Sequence, residues 1–142
     1  MNEQVRHIMS SHPKVASPDQ SVTEVENIMI EYKLTQLPVV KDGKLVGIIS
    51  TNDLWRDSKT AGNHADKKVS DVMNTNVIKI TPLDKVGTAA ELFMDKRFKS
   101  LPVVNLRNEL KGVITSFDIL RHCLKEEYPR PILYQDVIEN TD

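Results

Sequence analysis

The tetrapeptide LPVV occurs twice in this chain of 142 residues, at Leu37–Val40 and again at Leu101–Val104. When the two copies are superimposed, residues on both sides of them also match in order, with one extra residue in the second copy. The matched pairs include Met9 with Met73, Pro18 with Pro82, Gly47 with Gly112, Asp53 with Asp118, and Arg56 with Arg121. Matches that keep one order over this length indicate an internal duplication, which constrains the fold more than any other feature.

Each copy predicts the element order β-α-β-β-α. A short extended stretch at 14–17 or 77–81 stops at a proline, and a helix with apolar residues at helical spacing follows. Ser21 and Asp84 are the predicted N-caps of these two helices. LPVV is apolar on both faces and predicts the buried first strand of a hairpin, whose turn in the first copy is Asp42-Gly43. The return strand then leads into a second helix.

One copy of about 55 residues would bury too little apolar surface to be comfortably stable by itself. We therefore predict an α/β fold of the α+β type, with two tandem repeats packed sheet to sheet and related by pseudo-two-fold symmetry. The predicted segments are a first repeat at 1–60, a polar linker at 61–68, a second repeat at 69–127 and an extended C-terminal tail at 128–142. The apolar residues of the tail could dock on a neighbouring surface, or the tail could be disordered.

Composition narrows the classes of function. The formal net charge of −1 argues against a nucleic-acid binder, which usually carries a clustered basic excess. No apolar run approaches the roughly 20 residues that span a bilayer, and the first ten residues lack the apolar core of a signal peptide. The single cysteine, Cys123, suits a reducing cytoplasm, and the four histidines show no paired spacing for a metal. We expect a cytoplasmic protein without a metal, nucleic-acid or membrane partner.

Two stretches with the spacing hydroxyl-x-x-Asp stand where a return strand meets the second helix of each copy: Ser50 with Asp53, and Thr115 with Asp118. This spacing is typical of a capping box, which needs no ligand. It also suits a ligand, because a helix N-terminus attracts phosphate and an ionised carboxylate can accept both hydroxyl protons of a ribose. The two interpretations are compatible, since the carboxylate could cap the helix when the cleft is empty.

The element order, the LPVV strand, the glycine of the return strand and the closing aspartate occur twice, and together they resemble a pair of CBS domains. This family is named after cystathionine β-synthase, and such a pair is also called a Bateman module. The resemblance covers about residues 5–125. It implies a regulatory module that binds AMP, ADP, ATP or S-adenosylmethionine between the repeats and requires no cofactor. It also implies a homodimer and an effector protein, which the sequence does not identify.

The resemblance further implies roles for particular residues. Ser50 and Thr115 would contact ribose or phosphate, while Asp53 and Asp118 would bind the ribose hydroxyls. The purine would lie against the first strands and the start of each LPVV strand, at Val15, Ala16, Lys79, Ile80, Leu37, Pro38, Leu101 and Pro102.

Basic residues near these positions have open roles. Many family members place a basic residue just before the leucine of the LPVV strand, but this chain has Gln36 and Ser100 there, which weighs against a polyphosphate ligand. Lys33, Arg97 and Lys99 could substitute, or they could belong to solvated helix ends. The two matched arginines, one helical turn after each aspartate, could pair with it or reach a phosphate.

Two alternatives to the sensor remain. A structural homodimerisation module with vestigial clefts would need no ligand, and apolar residues on the helices could serve such a dimer or only the core. The residues concerned are Met29, Ile30, Leu54, Trp55, Leu120 and Cys123. A small enzyme is disfavoured, because the sequence shows no combination of nucleophile, base and orienting group.

Overall fold

The computed structural model describes residues 1–61, 66–96 and 98–127 of the chain. The tail at 128–142 and Arg97, both of which carry predictions above, lie outside the described residues. The helices and strands are α1 Val22–Tyr32, β1 Gln36–Lys41, β2 Lys44–Ser50, α2 Thr51–Ala61, α3 Val69–Val72, α4 Val86–Lys96, β3 Ser100–Val104, β4 Leu110–Thr115 and α5 Ser116–Glu127. A single 3-10 turn, Val5–His7, precedes them. The mixture of helices with small antiparallel sheets confirms the predicted α+β class.

The two hairpins form as predicted, with β1 paired to β2 and β3 paired to β4 in equivalent registers. Both hairpins are irregular between the two valines of LPVV, so the duplication extends to this detail. In the first hairpin, Asp42 and Gly43 have φ angles of 52° and 79°. Positive φ at both central residues is what the twist of a two-residue hairpin requires.

The short strands predicted ahead of each hairpin are reduced to single parallel bridges, Ala16 with Val39 and Ile80 with Val103. The Ala16 N–H donates to the Pro38 carbonyl oxygen at 2.9 Å, and the Ala16 carbonyl oxygen accepts the Val40 N–H at 2.8 Å. A proline follows each bridge by two residues and cannot donate a further ladder hydrogen bond. The predicted strands were therefore too long, although their direction and partners follow the repeat.

The helix start at Ser21 is confirmed, because its Oγ accepts the Glu24 N–H at 3.1 Å. The prediction for Asp84 was wrong. Since α4 begins at Val86, the N-cap position belongs to Lys85. The Asp84 carboxylate instead accepts the Thr81 N–H at 2.7 Å and so closes the turn that precedes the helix.

Each repeat begins with a segment that packs into the other repeat. Val5, fully buried, belongs to a core cluster whose other members come from the second repeat, including Val86 and Ile114. Val69, also fully buried, belongs to the core cluster of the first repeat, which includes Val22 and Ile49. Each hydrophobic core thus combines most of one sequence repeat with the first segment of the other.

Backbone hydrogen bonds fix this exchange of segments. Ser10 pairs with Val113 in β4 through two bonds of 2.9 and 3.0 Å, and Asn74 pairs with Ile48 in β2 through two bonds of 2.8 and 2.9 Å. The hairpin turns also meet, because the Leu45 N–H donates to the Asn108 carbonyl oxygen at 3.0 Å. The two repeats are consequently joined by main-chain hydrogen bonds as well as by apolar packing.

The exchanged segments explain the matched glycines of β2 and β4. A Cβ atom at Gly112 would lie 2.5 Å from the Ser10 carbonyl oxygen and 2.8 Å from the Met9 sulfur. At Gly47 it would lie 2.8 Å from the Met73 sulfur and 3.0 Å from the Asn74 carbonyl oxygen. Each glycine therefore leaves the space in which the incoming segment pairs with the strand.

In the described part of the chain, no helix combines the length and the apolar character that crossing a membrane requires.

We predict that Gly112→Ala lowers the free energy of unfolding by about 1–3 kcal/mol, as overpacking typically does. Gly47→Ala should cost less, because its nearest contact is a flexible methionine side chain rather than a carbonyl group. Urea denaturation of both variants measures the difference. The exposed neighbour Lys111→Ala is the control, and equal stability of Gly112→Ala and this control would contradict the packing argument.

Candidate functional site: two interlocked clefts

The first hydroxyl-x-x-Asp motif forms a reciprocal cap at the start of α2. The Ser50 N–H and the Ser50 Oγ–H both donate to Asp53 Oδ2, each at 2.9 Å. In return, the Asp53 N–H donates to Ser50 Oγ at 3.1 Å. The predicted capping box is present, and it fixes the carboxylate at the helix N-terminus.

The second motif repeats this geometry at the start of α5. The Thr115 N–H donates to Asp118 Oδ2 at 2.8 Å, and the Asp118 N–H donates to Thr115 Oγ1 at 3.1 Å. The other carboxylate oxygen in each copy faces the matched arginine. Arg56 reaches Asp53 Oδ1 at 2.7 Å, and Arg121 reaches Asp118 Oδ1 at 3.4 Å. Of the two roles open to these arginines, the structure shows pairing with the aspartate.

Both aspartates are largely shielded from solvent while their arginines are not. The side chains of Asp53 and Asp118 are 11% and 12% exposed, against 66% and 54% for Arg56 and Arg121. Each carboxylate is therefore rigidly placed, and its ion pair lies on the solvent side.

Several cavities lie at the boundary between the repeats in the described part of the chain, and we call the one of about 480 Å³ cleft A. It combines the extended segment and the β1 start of the first repeat with the motif of the second repeat. Its lining includes Pro13, Lys14, Tyr32, Lys33, Gln36, Leu37, Pro38, Lys99, Ser100, Thr115 and Asp118.

Cleft B is the pseudo-symmetric counterpart, with a volume of about 270 Å³. It combines the extended segment and the β3 start of the second repeat with the motif of the first repeat. Its lining includes Gln36, Ser50, Asn52, Asp53, Arg56, Asn76, Val77, Ile78, Phe98, Ser100 and Leu101.

Each cleft thus takes its apolar wall from one repeat and its capped aspartate from the other. This crossed arrangement follows from the exchanged segments, because the start of the first repeat pairs with β4 and the start of the second repeat pairs with β2. Gln36 and Ser100, which replace the basic residues expected before the leucines, line both clefts and lie between them. No local pattern in the sequence predicts the crossing, because the two halves of a cleft come from separate repeats.

The structure brings together seven of the twelve predicted site residues. Cleft A contains Leu37, Pro38, Thr115 and Asp118, and cleft B contains Leu101, Ser50 and Asp53. The other five, which line neither cleft, are Val15, Ala16, Lys79, Ile80 and Pro102.

Four of these five residues are placed elsewhere for identifiable reasons, and the fifth, Val15, is exposed. Ala16, Ile80 and Pro102 are buried in the cores beside the parallel bridges. Lys79 extends its Nζ to Asn108 Oδ1, at 2.8 Å. The residues that line the clefts lie one or two positions earlier, at 13–14 and 77–78, where the chain has not yet entered the bridge.

Among the residues that the structure describes, two carboxyl groups have clearly lowered pKa values, and neither lines cleft A or cleft B. A hydrogen bond from His7 lowers the pKa of Glu3, and the Asn105 amide, 2.9 Å away, lowers the pKa of Glu109. Glu109 belongs to the turn that meets the first hairpin. These shifts keep both carboxylates charged at mildly acidic pH and concern the scaffold rather than the clefts.

Chemically, each cleft offers hydrogen-bond acceptors, helix N–H groups and an apolar wall. Within the described residues, no group of three histidine, cysteine or acidic side chains is arranged to hold a metal ion. The arrangement is suited to recognising a molecule that carries neighbouring hydroxyl groups and a flat apolar ring.

Comparison with known proteins gives matches over both repeats. The sequence profile of the CBS domain family matches residues 5–54 and 69–125. Inosine-5'-monophosphate dehydrogenase of Methanocaldococcus jannaschii is 39% identical over 116 residues, which are 80% of this chain and 22% of that protein. The uncharacterized protein MJ0188 of the same organism is 28% identical over 134 residues, which are 93% of this chain. The chain spans 48% of that relative's length.

Solved structures match over most of the chain. CBSX2, a CBS-pair protein of Arabidopsis thaliana, was crystallised in complex with AMP. In that complex it is 28% identical, with a TM-score of 0.78 over 87% of this chain and 98% of its own. The CBS domain pair of protein MJ0100, in complex with 5'-methylthioadenosine and S-adenosyl-L-methionine, is 28% identical. Its TM-score is 0.76, over 89% of this chain and 99% of its own.

We predict that Asp118→Ala, without any ligand, lowers the free energy of unfolding by about 0.5–2 kcal/mol, because the cap loses its acceptor for the Thr115 N–H. Asp118→Asn keeps one side-chain oxygen of the same shape and should lose less. Chemical denaturation of the two variants checks this order. Equal losses would show that the capping bond contributes nothing beyond the carboxylate charge.

Proposed function

The chain belongs to the CBS domain family, and on that premise we propose that it is a regulatory module, not an enzyme, that binds an adenosine-containing ligand. AMP, ADP, ATP and S-adenosylmethionine are the candidate ligands. The observation that carries this proposal is the presence of two clefts between the repeats, each with a capped, shielded aspartate opposite the apolar start of an LPVV strand. The complexes of CBSX2 and MJ0100 support it, since both neighbours hold adenosine compounds.

The residues of cleft A have suitable chemistry for each part of such a ligand. Leu37 and Pro38 form an apolar wall for the purine. The Asp118 carboxylate can accept the hydroxyl protons of a ribose, and the N-terminus of α5 favours a negative group. Cleft B offers the same pattern through Leu101 and Asp53.

Binding in either cleft would reach both repeats, because each cleft takes one wall from each. A ligand that bridges the walls stabilises the arrangement of repeats that it fits best, and this population shift is the proposed signal. The protein that receives the signal is a partner of unassigned identity. We also propose a cytoplasmic location, on the sequence grounds given above.

We further propose that the chain forms a homodimer through α2 and α5. Phe117, Leu120 and Leu124 follow one face of α5 and are 64%, 56% and 50% exposed, and Trp55 on α2 is 57% exposed. Of the other residues considered for a dimer, Ile30 is exposed, Cys123 is half-buried, and Met29 and Leu54 are buried in the core.

A structural module with clefts that bind nothing is the second candidate, and one observation favours it. Both carboxylates already have partners in this structure, as the capping box requires, so their placement is explained without a ligand. The two candidates differ in whether added nucleotides stabilise the fold.

We predict that at least one of AMP, ADP, ATP and S-adenosylmethionine raises the melting temperature of the protein. A ligand present at 100 times its dissociation constant should add about 2.7 kcal/mol to the free energy of unfolding. Differential scanning fluorimetry with ligands at millimolar concentration measures the effect. If none of the four ligands shifts the transition, the sensor proposal fails and the structural module stands.

The double variant Asp53→Ala/Asp118→Ala should abolish the ligand-induced shift. Its matched control is Asp71→Ala, because Asp71 similarly accepts the N–H of Lys68 at 3.0 Å at the start of α3 but lines neither cleft. The control should lose stability and keep the shift. A shift that survives in the double variant would show that the aspartates only cap helices.

For the homodimer, we predict that Leu120→Glu converts the protein to a monomer, because burying a charge in the apolar contact is unfavourable. Sedimentation velocity measures the molecular mass. Met94→Glu is the control, since Met94 is an 82% exposed apolar residue on α4, outside the proposed contact. A wild-type protein that sediments as a monomer would overturn the dimer proposal.

A further inference from the structure

The two clefts share one motif but differ in size and in the charge of their described lining residues. Cleft A has nearly twice the volume of cleft B, about 480 against 270 Å³. Phe98 in cleft B stands at the register position of the smaller Leu34, which lines cleft A. The smaller cleft thus holds the bulkier side chain at this position.

The described cations are distributed unequally between the clefts. The described lining of cleft A includes three lysines, Lys14, Lys33 and Lys99, against one carboxylate, Asp118. In the described lining of cleft B, the charged side chains are Arg56 and Asp53, which form an ion pair at 2.7 Å. Cleft A thus carries an excess of positive charge, whereas the described charges of cleft B balance.

One pair of register-matched residues shows this difference most directly. Lys14 lines cleft A, where its Nζ lies 4.3 Å from the centroid of the Tyr32 ring, and Ile78 stands at the equivalent place in cleft B. Both side chains are exposed at the cleft rim. The lysine offers an ammonium donor where the isoleucine offers only apolar surface. Arg97, the register partner of Lys33, lies outside the described residues, so the comparison rests on Lys14 and Ile78.

The two aspartates differ in how many hydrogen bonds their carboxylates already accept within the cap. Asp53 Oδ2 accepts two hydrogen bonds from Ser50 and its Oδ1 accepts a 2.7 Å bond from Arg56. Asp118 accepts one from Thr115, and its contact with Arg121 is 3.4 Å long. A carboxylate has about four lone-pair sites, so Asp118 keeps more capacity for ligand hydroxyls.

We propose that the clefts are specialised: cleft A binds an adenosine nucleotide through its phosphate, and cleft B binds an adenosine nucleoside that has no phosphate. This inference rests on the proposed function and assigns the ligand class of each cleft. Lys14 is the specificity-determining residue of cleft A, because its ammonium group can form a charge-assisted hydrogen bond with phosphate oxygens. Ile78 gives cleft B an apolar rim, against which an unpaired phosphate would lose hydration.

The experiment uses isothermal titration calorimetry of the full chain with AMP and with adenosine, which differ only in the phosphate. Asp53→Ala leaves cleft A intact and Asp118→Ala leaves cleft B intact, so each cleft is measured alone. The Asp53→Ala variant should bind AMP about tenfold or more tightly than adenosine, the effect of one hydrogen bond to a charged group. The Asp118→Ala variant should show no preference for AMP.

Exchange of the rim residues then tests their role. Lys14→Ile, added to Asp53→Ala, should weaken AMP binding about tenfold and leave adenosine binding unchanged. Ile78→Lys, added to Asp118→Ala, should create a preference for AMP. Both positions are exposed, so the exchanges leave the cores intact, and the adenosine affinity reports whether each cleft is still formed.

The outcomes separate this inference from the proposed function. If both single-cleft variants bind AMP and adenosine with the same ratio of affinities, or if Lys14→Ile weakens both ligands equally, the specialisation is wrong while nucleotide binding stands. If the wild-type protein binds neither AMP nor adenosine, the proposed function and the specialisation both fail.

Discussion

The structure depends on the main-chain pairing between the start of each repeat and the return strand of the other. Ser10 bonds to Val113 in β4 and Asn74 bonds to Ile48 in β2, so each core contains a segment from the opposite repeat. This pairing requires a glycine in each return strand, because a Cβ there would meet the incoming backbone. The pairing also determines which residues form each cleft. Because each return strand is bound to a segment of the other repeat, the aspartate that follows it lies opposite the other repeat's LPVV strand.

The aspartate of each motif is placed by the same hydrogen bonds that stabilise its helix. A carboxylate that caps a helix is already desolvated and oriented, as the 11% and 12% exposures of Asp53 and Asp118 show. A ligand that binds to it therefore needs to order very little of the protein, which reduces the entropic cost of binding. Capping and ligand recognition are for this reason compatible roles of one residue.

Much of the local structure could be predicted from the sequence, because its signals are local. The positive φ angles at Asp42 and Gly43, the cap at Ser21 and the buried LPVV strands all follow from short patterns. The exchange of segments could not be predicted, since backbone pairing between distant segments leaves no periodicity. The sequence features connected with this exchange are the matched methionines and glycines, but only the structure shows that each methionine lies against the glycine of the other repeat. Lining positions such as Lys14 were missed because the predicted first strands are only single bridges in the structure. The residues that line the clefts therefore lie closer to the N-terminus than the predicted Val15 and Ala16.

The duplication is most exact in the buried LPVV strands, whereas other buried pairs, such as Ala16 with Ile80 and Val25 with Ala89, differ between the copies. Within these strands, the fully buried pairs Leu37 with Leu101 and Val39 with Val103 are identical, as close packing around both strands favours. Rim positions carry no such constraint, so Lys14 and Ile78 can differ without disturbing the fold. Two copies that share a scaffold can consequently acquire different ligand preferences through a few exposed side chains. Because each cleft has walls from both repeats, either ligand would still act on the same junction.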